Sequence, residues 1–376
     1  MKIRLLRCLQ VALCLMIAFL QVDARACTTF QLRYQDQVLV GKNYDWMVED
    51  GLVIVNKRGV SKTAYQSTVD NTGLGTPAAW TSKYGSITFV QYGRELGPGG
   101  MNEAGLVVES MGLFRNTPNR KYPKPDDRES LLAGQWRQYQ LDNFATVKEV
   151  IESDATLRIR PQKGIHTHFI ISDRQGNCAT IEYLDGKMVC HTGETLPYRA
   201  LTNNTYSLSL DYLKKDTIPE PDIYKSIERF IRAAKMVEEY DPETSAAPVD
   251  YAFKVLKSVS WSIDREWKGV SYQSNTRWSI VYDQKNRRIH FRTHGNPNIR
   301  VIDMASFDFS CKAPVKVLDV TANLTGDVTG EFVDYTRQAN RELIEAAFTK
   351  TVFFPRYSAR QLDMLAEYPD TFLCEQ

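Results

Sequence analysis

Hydrophobic and polar positions alternate from Cys27 to Tyr34, break at Gln35-Asp36-Gln37 and resume over Val38-Leu39-Val40 towards Asn43. This pattern predicts a β-hairpin that begins at Cys27. Further strands are expected over 51–56 and 86–92, separated by a polar, glycine-punctuated stretch, and over 105–111 after the turn Gly97-Pro98-Gly99-Gly100. The period then becomes helical over 128–139 and 145–152, with Asn143 or Asp142 capping the second helix. Four short strands follow at 164–172, 178–183, 187–191 and 198–202.

Beyond Pro221, Ile223, Ile227, Phe230, Ile231 and Ala234 make one apolar helical stripe, and 249–259 reads as another helix. A second hairpin is predicted from 277–283 and 288–293 around Gln284-Lys285-Asn286. Segments 300–304 and 315–320 continue that sheet, and 331–348 forms the last helix. Strand blocks broken by helix pairs describe an α+β layered domain rich in antiparallel sheet. Neither repeats nor low-complexity tracts interrupt it.

Ahead of Cys27, Lys2, Arg4 and Arg7 precede an apolar run of 13 residues, Cys8 to Leu20, and a polar stretch ends in Ala24-Arg25-Ala26. These are the parts of a signal peptide with a small-x-small cleavage site. The run falls short of the roughly 20 residues that cross a bilayer. The expected mature protein is one domain, 27–376, in the periplasm or secreted, with no membrane partner once the leader is removed. Cleavage takes Lys2, Arg4, Arg7, Arg25 and Asp23 from a chain of 47 Lys+Arg and 45 Asp+Glu, so the mature charge lies near zero. Such a balance gives no basis for a nucleic-acid partner.

Seven cysteines become five after cleavage: Cys27, Cys178, Cys190, Cys311 and Cys374. An odd number in an exported protein leaves a thiol for chemistry. A two-residue turn at Asp185-Gly186 sets 178 opposite 193 and 190 opposite 181. The two sulfurs then point to opposite faces of the sheet, which argues against a Cys178–Cys190 bridge. Cys311 and Cys374 are left as the other pair available for a disulfide.

Cleavage after Ala26 would give Cys27 both a thiol and a free α-amine. An α-amine has a pKa of about 7.7 to 8.0, so near neutrality it can take the thiol proton without help from a histidine. His166 and His168 share a strand face, but two histidines without a third ligand do not make a metal site. An ordinary cysteine after a cleavage site, or a lipidated one, is the competing reading. Lipidation, however, favours a leucine-like residue three positions before the cysteine, where Ala24 stands. Asp45 could hold the ammonium and Lys42 could stabilise a thiolate. Elsewhere both would be solvated charges at a strand end. Tyr44 and Trp46 supply apolar surface for the core or for a substrate pocket.

These residues carry a resemblance. Cys27-Thr28-Thr29-Phe30, Gly41-Lys42-Asn43-Tyr44-Asp45-Trp46, Met101-Asn102-Glu103-Ala104-Gly105-Leu106, Leu201-Thr202-Asn203-Asn204 and Glu228-Arg229-Phe230 follow the order seen in the choloylglycine hydrolase family. That family holds the bile salt hydrolases and penicillin V acylases among the N-terminal nucleophile hydrolases. The resemblance implies a four-layer αββα sandwich with Cys27 as nucleophile on a central strand. By the same likeness Asp45 contacts the α-amine, Asn203 supplies an oxyanion donor and Arg229 organises charge nearby, while Lys42, Trp46 and Met111 complete the site.

Two departures stand out. Lys42 replaces the arginine of many members, keeping the charge but losing the bidentate fork. The asparagine that bile salt hydrolases place after the Asn-Glu-x-Gly-Leu segment falls here at Met111 or Gly112, which removes one oxyanion donor and weakens the bile-salt reading. The expected activity is hydrolysis of a linear N-acyl amide, such as a conjugated bile acid or penicillin V, through a Cys27 thioester and without a metal or organic cofactor. A ceramide-like or peptide amide hydrolase of the same fold, and a non-catalytic exported lipoprotein, are the alternatives. Family members are often tetramers, so the resemblance extends a homo-oligomer to this chain.

Overall fold

The computed structural model describes residues 26–66, 75–114, 117–161, 166–215 and 226–375. The first hairpin is longer than the sequence pattern suggested: Ala26–Tyr34 pairs antiparallel with Gln37–Trp46, and Gln35 turns the chain at φ 51°. Both strands lie inside the protein, so alternation of polar and apolar residues fades before they end. Gly41 sits beneath Phe30, where an added Cβ would come within 2.3 Å of the ring.

Around this hairpin an eight-stranded sheet forms, in which Ala200–Leu201 flanks Ala26–Tyr34 on one side and Gln37–Trp46 on the other. Beyond them come the long strand Val270–Asp283, then Arg288–Thr293 and Arg300–Asp303. A nine-stranded sheet faces it, built from Leu52–Asn56, Ser86–Val90, Gly99–Asn102, Val107–Gly112, Thr167–Ser172, Cys178–Leu184, Lys187–Thr192 and two strands from the C-terminal third. Helices Ser226–Glu238 and Pro248–Ser258 cover the outer face of the first sheet, and helix Ala133–Asn143 covers the second. One apolar core fills the space between the sheets and under the first helix pair, while a second joins the nine-stranded sheet to Trp136 and Leu141. The layers therefore run helix, sheet, sheet, helix.

Strand parity divides the first hairpin. Thr29 and Gln31 face the opposite sheet, bonding to Met111 Sδ at 3.0 Å and Ser172 Oγ at 2.7 Å. Thr28 and Asn43 face the helices, bonding to Arg229 and to the Leu256 carbonyl. Successive side chains of a strand point to opposite faces, so this parity decides which partners reach Cys27 from which side.

Several predicted elements shift. Residues 129–131 form a short strand parallel to Leu157–Ile159, and the helix begins only at Ala133. The next helix, Val147–Glu152, is capped by Thr146 rather than Asn143 or Asp142, with Thr146 and Glu149 forming a reciprocal capping box. Asn143 instead closes the preceding helix on the Tyr139 carbonyl. Segment 315–320 does not continue the sheet of Arg300–Asp303: Lys316–Asp319 pairs with Leu52–Asn56 in the other sheet, a choice of partner that alternation cannot encode. The last long helix starts at Arg337, capped by Thr336, because Val333–Asp334 is held as a strand against Lys316–Asp319. Ile223 lies outside the described residues. The register Ile181↔Cys190 bears out the opposite facing of Cys178 and Cys190, both free thiols, and Cys311 is bonded to Cys374.

Candidate active site

Cys27 is the second residue of the strand Ala26–Tyr34 and is buried. Three segments distant in sequence converge on it: the turn after Ala200–Leu201, helix Ser226–Glu238 and the strand end at Asp45. Asn203 Oδ1 accepts the Cys27 backbone N–H at 3.0 Å, and its Nδ2 donates to the Gly112 carbonyl at 2.8 Å. Among the described residues the second Nδ2 hydrogen has no acceptor. The Cys27 nitrogen is here an amide joined to Ala26, and it stands where the α-amine would lie after cleavage.

Arg229 locks this arrangement. Its Nη1 donates to the Cys27 carbonyl and to Thr28 Oγ1, both at 2.7 Å, and its Nη2 donates to Asn203 Oδ1 at 2.8 Å. Trp261 lies under the guanidinium, 5.6 Å from carbon to ring centre. The fork is therefore held on three oxygens and an aromatic face, a geometry that a lysine could not reproduce. On the stripe of its helix Arg229 looks like a rim residue, yet it is buried at 1% exposure because the helix edge tucks against the strand.

Asp45 completes the helix-side group. Its Oδ1 accepts from Thr276 Oγ1 at 2.5 Å, while Oδ2 lies 3.8 Å from Arg229 Nη1 and makes no hydrogen bond among the described residues. Thr276 reaches it because the register slips between Thr276 and Trp278, placing Thr276 opposite Asp45 and Trp278 opposite Tyr44. A β-bulge next to a site re-aims side chains in this way. The extra residue, Arg277, donates to the carbonyls of Trp46 and Met47 at 3.0 Å.

Lys42 approaches from the other face, where its Nζ donates to the Ser110 carbonyl at 2.5 Å and lies 3.6 Å from Glu109 Oε2. Glu109 also accepts from Tyr282 at 2.6 Å. Cys27 thus sits between Asp45 with Arg229 on one side and Lys42 with Glu109 on the other.

Burial dominates the electrostatics. It pushes the Cys27 thiol above its usual range, with Lys42 the largest opposing influence and Asp45 adding to the rise. Burial likewise raises the Asp45 carboxyl to about 6, against the pull of Arg229 and the Thr276 hydrogen bond. It lowers Arg229 and raises Glu109 by the same cause, each offset in part by its partner. Desolvation of this kind disfavours every charged form, the Cys27 thiolate included.

Of the residues singled out in the sequence, Cys27, Asp45, Asn203 and Arg229 form one bonded cluster and Lys42 flanks it. Trp46 follows Asp45 on the same strand and meets Phe353 edge to face at 5.5 Å. Met111 is buried between the sheets, its sulfur taken by Thr29. Thr276 and Trp261 carry no signal in the sequence, and the motifs that contain Thr28 and Gly112 do not show their bonds to Arg229 and Asn203, since each meets the cluster only through long-range contacts. His168 does not pair with His166, which stacks on Tyr122 at 4.4 Å, but lies between Glu182 and Thr202.

The sequence pattern of linear amide C–N hydrolases of the choloylglycine hydrolase family matches residues 27–219, just over half of the chain. A penicillin V acylase from Pectobacterium atrosepticum is 28% identical over 293 residues, spanning 67% of this chain and 76% of that protein. Among solved structures, penicillin V acylase from Agrobacterium tumefaciens superposes with a TM-score of 0.66 at 29% identity, covering 82% of this chain and 98% of that one. The conjugated bile acid hydrolase from Clostridium perfringens shares the fold, with a TM-score of 0.63 at 17% identity, over 80% of this chain and 98% of its own.

Proposed function

The chain belongs to the choloylglycine hydrolase family and hydrolyses linear amide C–N bonds, and on that premise we propose that Cys27 is its nucleophile, activated by cleavage after Ala26. The observation that carries this reading is the hold on the Cys27 nitrogen. Asn203 Oδ1 fixes that atom, and Arg229 fixes both Asn203 and the Cys27 carbonyl. Any buried N–H needs an acceptor, but here the acceptor is itself pinned by the guanidinium that holds the Cys27 carbonyl, and such a fixed hold suits an N-terminal base, whose lone pair must be aimed at its own thiol.

In the proposed reaction the neutral α-amine takes the thiol proton as sulfur attacks the amide carbonyl. The remaining Nδ2 hydrogen of Asn203 supports the oxyanion, a contribution of about 2.7 to 4 kcal/mol for one such donor. The resulting ammonium, held by Asp45, returns its proton to the departing nitrogen, and a thioester is left on Cys27. The amine then takes a proton from water as the hydroxyl adds to the thioester, and collapse expels the thiolate, giving the acid and a regenerated thiol.

The substrate we infer is a small N-acyl amide of the penicillin V kind. Both penicillin V acylases stand well above the bile acid hydrolase in identity. By the family resemblance, Met111 or Gly112 stands in the place of the bile salt hydrolase asparagine, and Trp46, Phe353 and Trp267 gather as aromatic surface beside Asp45. The leader over 1–26 and the Cys311–Cys374 disulfide support an exported protein, since such bonds persist in oxidising compartments.

The test uses the protein expressed with its leader. Intact mass is expected to show a mature chain beginning at Cys27. On penicillin V, glycocholate, taurocholate and an N-acyl homoserine lactone, release of phenoxyacetate is expected to be fastest. Cys27→Ala is expected to lower every rate by at least ~10³-fold, as loss of a nucleophile does. Amidase activity surviving in Cys27→Ala, or a mature chain that begins elsewhere, overturns the reading.

A further inference from the structure

Asn203 lies on the segment that leaves Ala200–Leu201 and enters helix Tyr206–Lys214, and this segment is gripped on both sides by one buried pair from the opposite sheet. His168, on strand Thr167–Ser172, places Nε2 2.7 Å from the Thr202 carbonyl and Nδ1 2.9 Å from Glu182 Oε1. Glu182 Oε1, on the neighbouring strand Cys178–Leu184, also accepts the Tyr206 backbone N–H at 3.0 Å. Both side chains have 0% exposure. From the third side, Ser226 Oγ accepts the N–H groups of Asn203 at 2.8 Å and Asn204 at 3.1 Å.

We propose that His168 and Glu182 are positioning residues for Asn203, fixing the peptide on each side of it so that its carboxamide meets the Cys27 nitrogen. A carbonyl only accepts, so the Nε2–H of His168 must donate to Thr202. That fixes the height of the Thr202 peptide above the opposite sheet, while Glu182 fixes the start of the helix four residues later. Between these two anchors Asn203 has one backbone course. Asn203 Oδ1 serves two donors and its Nδ2 a carbonyl, so a displacement of the backbone breaks all three contacts together.

Stability gives a poor account of the pair. Two ionisable groups buried together recover little beyond their own desolvation, and apolar residues of similar volume often do as well. What an apolar pair cannot do is bond a carbonyl at one end and a helix N–H at the other. His168 also pairs in register with Met111, beside Gly112, whose carbonyl receives Asn203 Nδ2. The same strand pair thus sets both the floor under Asn203 and the anchor that bears on it.

This inference rests on Cys27 as the nucleophile, and its test keeps the two apart. The readouts are kcat and KM on penicillin V, or on glycocholate if the wild-type enzyme turns that over faster, together with thermal melts. His168→Asn keeps a donor near Nδ1 but loses the Thr202 contact; kcat is expected to fall roughly 10- to 100-fold with KM within about threefold, as for misplacement of about 1 Å. His168→Gln, whose Nε2 stands in for the ring Nε2, is expected to restore most of kcat although it melts no higher than His168→Asn. Glu182→Gln keeps an oxygen for the Tyr206 N–H but removes the charge opposite His168, so it is expected to melt lower than wild type while losing less kcat than His168→Asn.

Equal losses of kcat in His168→Asn and His168→Gln, or wild-type kcat in His168→Asn, sink the positioning role while an inactive Cys27→Ala leaves the nucleophile in place. Activity in Cys27→Ala removes the nucleophile and this inference with it.

Discussion

At the scale of single residues, the site is a set of charges kept dry, and Asp45 shows the consequence most directly. Its carboxyl is raised to about 6 by burial, against an ordinary value of 3.8. The folded state therefore holds this proton more tightly than the unfolded state. Below pH 4 the group is protonated in both states and costs nothing; as pH rises from 4 to 6 the unfolded chain releases the proton first, and stability falls. A shift of this size is worth about 3 kcal/mol to order of magnitude. Asp45→Asn removes the titration, so its unfolding free energy relative to wild type is expected to rise by about that amount between pH 4 and pH 7. Urea melts of the uncleaved chain, whose Cys27 nitrogen is an amide and puts no cation beside Asp45, measure it across this range, and a pH-independent difference would contradict the burial argument. The same variant is expected to lose amidase activity, a pairing of gained stability with lost function that marks a residue placed for chemistry.

At the scale of elements, the hairpin Ala26–Tyr34 with Gln37–Trp46 carries the site, and its packing depends on Gly41. A methyl at that position would meet the Phe30 ring within 2.3 Å, on the face that supports Thr28 and its bond to Arg229. Gly41→Ala is expected to lower stability by about 1–3 kcal/mol, the usual cost of overpacking. Phe30→Leu in the same chain is expected to recover part of it, and unfaltering melts in Gly41→Ala alone would show that the ring can move aside.

This hairpin also shows what the sequence makes legible. Its turn, its order of strands and its leading cysteine follow from alternation and from Gln35-Asp36-Gln37, because these are local. Asp45, Asn203 and Arg229 are legible only through the order of motifs shared with a family, since nothing near Arg229 distinguishes it from a rim arginine. Thr276 was invisible, because it depends on a bulge between strands more than 200 residues apart in the chain. Lys316–Asp319 lies in the sheet opposite the one its position after Arg300–Asp303 suggests for the same reason: an apolar strand states that it is buried but not beside what. The capping box at Thr146 is local and is written in Thr146-x-x-Glu149, although Asn143 and Asp142 just before it are equally good cap residues.

At the scale of the whole molecule, the C-terminal quarter returns to the site. Helices Arg337–Lys350 and Ala359–Glu367 pack together, and the chain between them brings Phe353 against Trp46 and Trp267. The end of the chain is then fastened twice: Leu373–Cys374 adds a strand beside Val60–Thr63, and Cys374 is joined to Cys311 across 63 residues. Closing a loop of that length restricts the unfolded chain more than the folded one, and such a bond is worth about 2–4 kcal/mol. Reduction, or Cys374→Ser, is expected to lower the melting temperature by several degrees while activity at 25 °C changes by less than about twofold, because the bonded cluster at Cys27 draws on none of the tail's backbone. Activity lost in step with reduction, at a temperature where the fold persists by circular dichroism, would mean that the tail holds Phe353 at the site. In that event KM should rise before kcat falls, since an apolar wall acts on binding while, in the proposed mechanism, Cys27, Asn203 and Arg229 act on the bond itself.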